Sequence, residues 1–497
     1  MLRMKREPTL VLALCAWAAV RVFVFSAAFP IFNNVDELAH FDLVGKYARG
    51  DVPRGMEPLD AATARVKLLY ASPEYLSKPE SESGEPLEPP LWTRHIEADD
   101  YRLEPYIKHE TAIINHESTQ PPLYYAVAGL WYRFGMTAGL SGGKAAYWIR
   151  FLNALLAVPL VWAGYSLARL FDPGGEFLRL GVPLLIAFFP ADAFYSISND
   201  ALLPLVTGAA FVCLVMIDRG LRGGYFFSIV TGLLVAAATL VKLSSIAIVA
   251  VALLVVTLRI FGAVDASDRK KAVNGALVLL AAATVPIVAW GVRNVAVLGD
   301  WTGNAAKVEF LGWSLKPLRA IFDHPLFTPA GMLLFWHRVI MTFWRGEFVW
   351  HMQMVGSAGW DRFYSISSFA FLLAAAVAPY TWLRSVPPER RRLLWLSLIM
   401  TAHSIGFLAS ISIMYDFDSC PYPSRGSPYL TSGRLALGAL IPFVLVYLSG
   451  LEMLLPGRRL APARWGVLLA IVVLMTLSEI SVSLVAFRSP YNWFHLR

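Results

Sequence analysis

The run LVLALCAWAAVRVFVFSAA (residues 10–28) is followed, after seven residues, by the polar stretch DELAHF (residues 36–41). The first stretch is long enough to cross a bilayer core of about 30 Å. The whole chain of 497 residues is 57% hydrophobic with a mean hydropathy of +0.55, which excludes a soluble domain. We therefore predict an all-α integral membrane protein with an acidic pair beside its first span, where chemistry is to be sought first.

The charges are distributed unevenly along the chain. Residues 30–118 hold 17 Asp/Glu against 9 Lys/Arg, whereas the rest of the chain holds 34 Lys/Arg against 18 Asp/Glu. The basic clusters recur between apolar runs, and the positive-inside rule marks such segments, including the N-terminus, as cytoplasmic. This split favours a multi-pass membrane protein with an acidic outer face and argues against nucleic-acid binding.

The apolar runs predict about eleven transmembrane helices. A further crossing at residues 121–136 would turn every later basic cluster outward. As a helix these 16 residues would reach only about 24 Å, and they are rich in Tyr and Trp, so we expect them to lie in the outer interface. The predicted spans are residues 8–29, 147–169, 179–197, 200–218, 224–241, 243–260, 273–292, 364–383, 393–413, 433–452 and 465–486.

These spans divide the chain into five regions. The first is expected to be an uncleaved anchor, because no small-residue cleavage site follows it. In order, the regions are an N-terminal span (1–29), an extracytoplasmic loop with in-plane helices at 35–50 and 121–136 (30–146), a core bundle (147–292), a second extracytoplasmic or interfacial region (293–363) and the C-terminal spans (364–497).

The stretch DELAHF has two interpretations. Asp36, Glu37 and His40 fall on one side of a helix start, which suits a general base or a cation site. Alternatively, Asn34 is the helix N-cap, Glu37 completes a capping box, and Asp36 only complements the helix dipole. Spacing alone gives the two interpretations about equal weight.

A second polar group, His116, Glu117 and Gln120, precedes two prolines at the far end of the same loop. It is not a zinc-protease helix, because Gln120 stands where a second histidine is required. Glu117 either caps the following helix or faces Asp36 as a second acid, since both flank one loop. Asp36 and Glu117 are accordingly the candidates for holding a divalent metal.

Several polar residues are predicted at outer ends of later spans. Asn199 and Asp200 precede an apolar helix and again fit either a cap or a site. Lys242, Arg293 and Arg434 are isolated cations where the positive-inside rule does not place them. Together they suggest a bound phosphate or pyrophosphate, and snorkelling to the surface is the alternative for each.

The motifs DELAHF, HESTQPPLYY, ISNDALLPL, VKLSS and SGRLALGALIPF resemble the GT-C glycosyltransferases, membrane enzymes that use polyprenyl-phosphate sugars. The first two motifs are the specific ones. The spacing within DELAHF is closest to a less characterised bacterial branch, rather than to the protein-mannosyltransferase or aminoarabinose-transferase branches. The resemblance implies a GT-C-like bundle in a cell membrane, expected to be the bacterial inner (plasma) membrane.

The resemblance also implies roles for individual residues. Asp36 matches the acid that activates the acceptor hydroxyl, with Glu37 and Glu117 as further catalytic carboxylates. A divalent metal is an open possibility in such a site. The expected partners are a polyprenyl-phosphate-linked sugar, a lipid, glycan or protein acceptor, and membrane lipid. The expected substrate-binding residues are His40, His116, Gln120, Asn199, Asp200, Lys242, Arg293 and Arg434.

Two other classes share parts of this pattern. An exporter or flippase of envelope lipid or polysaccharide has a similar span count, but repeated halves are expected there, and none is visible. An envelope polymer ligase is closer in chemistry, but its large outer loop is expected late in the chain. The long acidic loop after the first span favours the transferase.

Overall fold

The computed structural model describes residues 2–94, 101–381 and 387–496. Helices dominate these residues, and strands are confined to two short two-stranded sheets. The helices of the N-terminal half are α1 (Leu2–Ala28), α2 (Glu37–Arg49), α3 (Ala61–Tyr70), α4 (Glu80–Ser83), α5 (Glu104–Glu110), α6 (Leu123–Thr137), α7 (Gly142–Phe171), α8 (Glu176–Ala187), α9 (Leu203–Asp218) and α10 (Tyr225–Val241). Those of the C-terminal half are α11 (Ile246–Phe261), α12 (Ala266–Leu298), α13 (Ala305–Phe310), α14 (Leu318–Ile321), α15 (Pro329–Arg345), α16 (Ala358–Thr381), α17 (Pro388–Met414), α18 (Leu440–Leu454) and α19 (Ala461–Arg488).

Each of the eleven predicted spans overlaps a helix, and eight helical segments within the described residues are long and apolar enough to cross a membrane. The other three predicted spans correspond to α8, α10 and α16, and the last residues of the predicted span 364–383 lie outside the described residues. The all-α, multi-pass architecture is thus confirmed, while the number of crossings stays a prediction. The eight segments are Glu7–Ala28, Gly142–Phe171, Asn199–Asp218, Leu243–Phe261, Ala266–Leu298, Pro388–Met414, Gly433–Leu454 and Ala461–His495.

The two helices expected in the first outer loop are present as α2 and α6, which pack against each other. Their approach is close, because a Cβ at Gly129 of α6 would lie 3.0 Å from the backbone nitrogen of Ala48. A tryptophan pair joins α6 to α7: the rings of Trp131 and Trp148 stack with centroids 4.3 Å apart. Each indole N–H donates to the backbone carbonyl of the other residue, at 2.7 and 2.9 Å.

The proposed capping box at the start of α2 is wrong. The N-cap is Asp36 rather than Asn34, and it makes no side-chain capping bond. Glu37 is fully buried and pairs with Arg150 of α7 at 2.6 Å. A buried arginine requires a carboxylate partner, and that requirement outweighs the gain from a cap.

The segment after α12 and the segment after α17 are joined by β1 (Ser314–Leu315) and β4 (Tyr415–Asp416), which pair antiparallel with Ser314 opposite Asp416. Between them, β2 (Val349–Trp350) and β3 (Gln353–Met354) form a short hairpin. These pairings hold the segment after α12 and the segment after α17 at one end of the bundle.

A buried ion pair lies between the first and last long helices. Arg21 of α1 pairs with Glu479 of α19, and the hydroxyl of Tyr195 contacts both. The guanidinium also donates to the carbonyls of Ala187 (3.0 Å) and Phe189 (2.8 Å). Those carbonyls lie at the end of α8, where the helix has no further N–H to donate to them. The guanidinium of Arg21 supplies the missing donors. We call Arg21, Glu479 and Tyr195 the Arg21 cluster.

Candidate active site

Asp36 has a left-handed backbone conformation, with φ 62° and ψ 2°. Aspartate adopts this region more readily than most residues do. Its Oδ1 lies 3.1 Å from Nε2 of His116, and its Oδ2 accepts a hydrogen bond from Nη2 of Arg434. The backbone therefore directs the carboxylate away from α2 and towards segments distant in sequence.

Arg434 is positioned by the glycine before it. Gly433 opens the 3₁₀ stretch Gly433–Ala439 that leads into α18. A Cβ at Gly433 would lie 2.1 Å from the backbone nitrogen of Phe343, so only glycine lets this turn approach α15. The predicted GR motif thus has a physical explanation, since the glycine sets the place from which the arginine reaches Asp36.

The guanidinium of Arg434 faces three carboxylates. Besides Asp36, its Nε lies 3.1 Å from Oε2 of Glu347, and its Nη1 lies 3.6 Å from Oδ2 of Asp200. The hydroxyl of Ser432 donates to the same Glu347 oxygen at 2.6 Å. One cation therefore links the start of α2 to two other acidic residues.

Glu117 has a comparable position at the far end of the first outer loop. Its Oε1 lies 2.6 Å from Nζ of Lys307 and 3.5 Å from Nε2 of His116. Its Oε2 accepts from Nε2 of Gln120 at 2.5 Å, and its backbone N–H donates to the side chain of Asn115. His116 therefore lies between the carboxylates of Glu117 and Asp36.

Lys242 completes the contacts. Its Nζ donates to Oδ1 of Asp200 at 2.6 Å and to Oδ1 of Asn199 at 3.1 Å. The amide of Asn199 donates in turn to Oε1 of Gln120 at 3.3 Å. These hydrogen bonds and ion pairs close into a circuit, which we call the outer polar network after the face that the sequence predicts for it. Its members are Asp36, His116, Glu117, Gln120, Asn199, Lys242, Asp200 and Arg434.

Eight of the eleven residues singled out in the sequence thus lie in one network, although they come from five distant segments. The network is accessible, because the side chains of Asp36, Arg434 and His116 are 20%, 15% and 33% exposed. The remaining three residues, Glu37, His40 and Arg293, lie outside the circuit.

Each of those three has a different environment. Glu37 accepts from Arg150 and from the backbone N–H groups of Phe32 and Ile197, so both its oxygens are occupied within the scaffold. We therefore assign it a structural role in place of the expected catalytic one.

His40 is buried, and its Nδ1 lies 2.7 Å from the hydroxyl of Tyr125. Burial lowers the pKa of His40 to about 4, so it is neutral near pH 7. Arg293 donates to the carbonyl of Pro53 and to Asn294, and its guanidinium lies over the ring of Trp290. Arg293 thus ties α12 to the first outer loop, and no contact with the network is found among the described residues.

Sequence reasoning missed two charged residues beside the network, Lys307 and Glu347. Lys307 lies in the region 293–363 and is an isolated cation of the kind that singled out Arg293. Glu347, in the stretch WRGEF, had no comparable signal. Its position depends on the turn after α15, which the sequence pattern does not reveal.

The charges of the network shift the pKa values of its members. Burial alone would raise the pKa of Asp36, but Arg434 and His116 lower it well below its usual value. Burial likewise opposes ionisation of Glu117, yet Lys307 and the histidines bring its pKa down to about 2. Burial would lower the pKa of His116, but Asp36 and Glu117 raise it. Both carboxylates are therefore ionised near neutral pH.

Three of these side chains are placed so that they could hold a metal ion. One ligand atom each from Asp36, His116 and Glu117 lie within 4.8 Å of one another. Carboxylate oxygen and imidazole nitrogen together suit a divalent transition metal such as Zn²⁺ or Mn²⁺. The sequence prediction paired Asp36 with Glu117, and the structure adds His116 as a third possible ligand.

The fold has known counterparts. The oligosaccharyltransferase of Archaeoglobus fulgidus, in its complex with Zn and sulfate, superposes with a TM-score of 0.50 at 12% identity, covering 95% of this chain and 53% of the other. The same enzyme tethered to an acceptor peptide gives a TM-score of 0.50 at 12% identity, covering 97% and 55%. This chain thus spans about half the length of the archaeal enzyme. At this identity the similarity shows the fold alone, which this chain shares with the archaeal oligosaccharyltransferase.

The family follows from the sequence itself. The model of the family described as predicted membrane protein (DUF2142) matches residues 20–402, well over half of the chain. The chain therefore belongs to the DUF2142 family. A comparison with curated protein sequences gives no match.

Proposed function

We propose that this protein is a glycosyltransferase that moves a sugar from a polyprenyl-phosphate carrier to an acceptor hydroxyl, with inversion, at the extracytoplasmic face of the membrane. The observation that carries the proposal is an ionised Asp36 held between His116 and Arg434, on a fold shared with an enzyme that transfers glycans. The acceptor is a lipid, a glycan or a protein.

The proposed reaction is a single displacement. Asp36 takes the proton from the acceptor hydroxyl as its oxygen forms a bond to the anomeric carbon. The bond from that carbon to the phosphate oxygen breaks on the opposite face, and its electron pair leaves with the polyprenyl phosphate. Arg434 and Lys242 stabilise the negative charge of the departing phosphate.

Arg434 couples the binding of the donor to the strength of the base. A carboxylate whose pKa is held far below neutrality is a weak base. A donor phosphate that engages Arg434 draws the guanidinium away from Asp36, so the pKa of Asp36 rises. The base is thus activated only when the donor is in place, and Glu347 and Asp200 keep the arginine located meanwhile.

The charge balance of the site explains why a divalent cation would help. Four carboxylates face three basic side chains, so with all seven ionised the site has a net negative charge when His116 is neutral and no net charge when His116 is protonated. Such a site attracts a phosphate poorly. The carboxylates are those of Asp36, Glu117, Asp200 and Glu347, and the cations are Lys242, Lys307 and Arg434.

A divalent cation held by Asp36, His116 and Glu117 would make the site positive. Its chemistry would be to help neutralise the phosphate of the donor. The archaeal oligosaccharyltransferase was crystallised with Zn and sulfate, and that combination of a divalent metal with an oxyanion supports the proposal.

The test is release of polyprenyl phosphate by the purified protein in lipid nanodiscs. A panel of polyprenyl-phosphate sugars is supplied with lipid, glycan and peptide acceptors, with and without Zn²⁺ or Mn²⁺. We expect one donor to be consumed in step with acceptor glycosylation. The matched control for Asp36→Asn is Asp51→Asn, since Asp51 is an exposed aspartate on the same loop that pairs with Arg49. Failure of every donor to react with the wild-type protein would contradict the proposal.

The outer location of the site has its own test. Cysteines introduced at Ser141 and Lys144, just after α6, should react with a membrane-impermeant maleimide added from outside the cell. Labelling only from the cytoplasmic side would mean that α6 crosses the membrane, and the proposed orientation of the network would then be wrong.

A further inference from the structure

A cavity lies at the opposite end of the bundle from the outer polar network. It has a volume of about 550 Å³ and opens between the start of α10, the end of α11 and the start of α12. That volume is typical of sites for small ligands. Lys242 directly follows the other end of α10, and the 17 residues of this helix separate the two places by about 25 Å.

The cavity is strongly cationic. Its lining includes Arg222, Arg259, Lys270 and Lys271 and a single acidic residue, Asp268. Asp268 is already paired, because its two oxygens accept from Arg259 at 3.0 and 2.6 Å. Three of the four cations therefore remain to bind an anion.

The shape of the cavity suits a ligand that enters from the side. Gly223, Gly224 and Gly275 line it without side chains and keep it open. Immediately beside the lining, Phe226 of α10 is 80% exposed and Leu277 of α12 is 61% exposed. An anion-binding cavity thus adjoins an apolar outer surface on the same two helices.

We propose that this cavity binds the headgroup of an anionic phospholipid. Lys270, Lys271 and Arg222 receive the phosphate, and the acyl chains follow the exposed apolar faces of α10 and α12. Cationic pockets between transmembrane helices are suited to such headgroups. In the orientation given by the positive-inside rule, the lipid comes from the cytoplasmic leaflet. The inference does not depend on the proposed glycosyl transfer.

The test compares lipids of different charge. The melting temperature of the purified full-length protein in detergent is followed as phosphatidylglycerol or phosphatidylcholine is added, because a ligand of the folded state raises it. We expect a saturable rise with phosphatidylglycerol and none with phosphatidylcholine. Equal effects of the two lipids would overturn the proposal.

A paired set of variants locates the site. Lys270→Gln combined with Lys271→Gln should weaken the apparent affinity for phosphatidylglycerol about 10-fold or more, since each cation contributes measurably at a membrane surface. The control combines Arg458→Gln with Arg459→Gln, two exposed cations outside the cavity, and should bind as the wild type does. Unchanged affinity in the first variant, or an equal loss in both, would overturn the assignment.

Glycerol phosphate distinguishes a lipid from a free phosphate. It carries the same phosphate chemistry without acyl chains. We expect it to compete at least 10-fold more weakly than phosphatidylglycerol. Competition as strong as that of the lipid would show that the cavity binds a soluble phosphate compound and would refute the lipid assignment. A melting temperature near the wild-type value without lipid confirms that each variant is folded.

Discussion

The outer polar network and the Arg21 cluster are both built around an arginine paired with a carboxylate, yet they differ in what else the arginine contacts. Arg21 donates to two backbone carbonyls, and its side chain and that of Glu479 are 5% and 4% exposed. Within the part of the chain that the structure describes, Arg434 contacts only side chains; its partner Asp36 is 20% exposed, and three carboxylates share it.

This difference separates a structural ion pair from an exchangeable one. The carbonyls around Arg21 cannot move without unwinding the end of α8, so nothing can replace them. The side-chain partners of Arg434 can rotate, and a phosphate can take the place of one of them at little cost in structure. Buried charge alone therefore does not indicate a functional site, whereas a charge held only by other charged side chains does.

The largest expected effect is on catalysis. Asp36→Asn keeps the size of the side chain, and asparagine tolerates the left-handed backbone at this position. Because the amide cannot take a proton, we expect the transfer rate to fall by about 10²-fold or more, with donor affinity and melting temperature near the wild-type values. The measurement is single-turnover transfer in nanodiscs, and near-normal turnover would move the base to Glu117.

The corresponding change in the Arg21 cluster should act on stability instead. Glu479→Gln leaves Arg21 without its counter-ion, and removing one partner of a buried pair costs about 3–5 kcal/mol. We expect a large drop in melting temperature that no ligand reverses. Glu37→Gln should behave in the same way, because Glu37 is the buried partner of Arg150. If either variant melts like the wild type, burial and backbone contacts are a poor guide to structural pairs.

The next effect is on donor binding. Arg434→Met and Lys242→Met should each weaken binding of the polyprenyl-phosphate donor about 10-fold or more, since hydrogen bonds to charged groups are worth about 1.5–3 kcal/mol. The matched control is Arg293→Met, which removes a cation outside the network and should leave donor affinity unchanged. Equilibrium binding of a labelled donor provides the measurement. Unchanged affinity in both network variants would mean that the phosphate is held elsewhere.

The smallest effect concerns pH. The pKa of His116 is raised by Asp36 and Glu117, so its contribution to folding stability is complete below about pH 6.5 and is lost as the pH rises through the folded pKa. A metal requires the neutral imidazole. Affinity for Zn²⁺ should therefore rise with pH, by up to about 10-fold per unit below the raised pKa.

Variants at the two histidines test the origin of that slope. His116→Gln should remove it together with most of the affinity for Zn²⁺. His40→Gln should retain it, because the pKa of His40 is already lowered to about 4. Isothermal titration between pH 5.5 and 8 measures both. A slope that persists without His116 would place the metal at other ligands.

The sequence predicted which residues meet in the outer polar network better than it predicted what each one does. Asp36, Glu117, Asp200, Lys242 and Arg434 all end or begin apolar segments on the face that the positive-inside rule assigns to the outside. The order of the predicted spans therefore places all five residues on the same side of the membrane. The partner that each of these residues contacts depends on tertiary packing, which cannot be predicted from the neighbouring residues in the sequence.

One wrongly paired residue and three residues that the sequence does not single out show how far contacts can be predicted from local spacing. Glu37 was paired with Asn34 by local spacing, but a buried arginine 113 residues later determines its contact. The sequence does not single out Arg21, because one arginine in a long apolar run barely changes the mean hydropathy of the run and does not change its length. Lys307 and Glu347 lie in irregular segments, where no periodic pattern indicates the direction of a side chain.

The pairing of Arg21 with Glu479 has a consequence for how the protein is made. The two residues are 458 positions apart in the chain, so at about 5–20 residues per second the ribosome needs roughly 20–90 s to supply the second after the first. An arginine in a newly inserted span costs about 2.5–3.5 kcal/mol while it has no partner. The span that holds Arg21 is therefore expected to remain less stable in the membrane until the span that holds Glu479 has been synthesised.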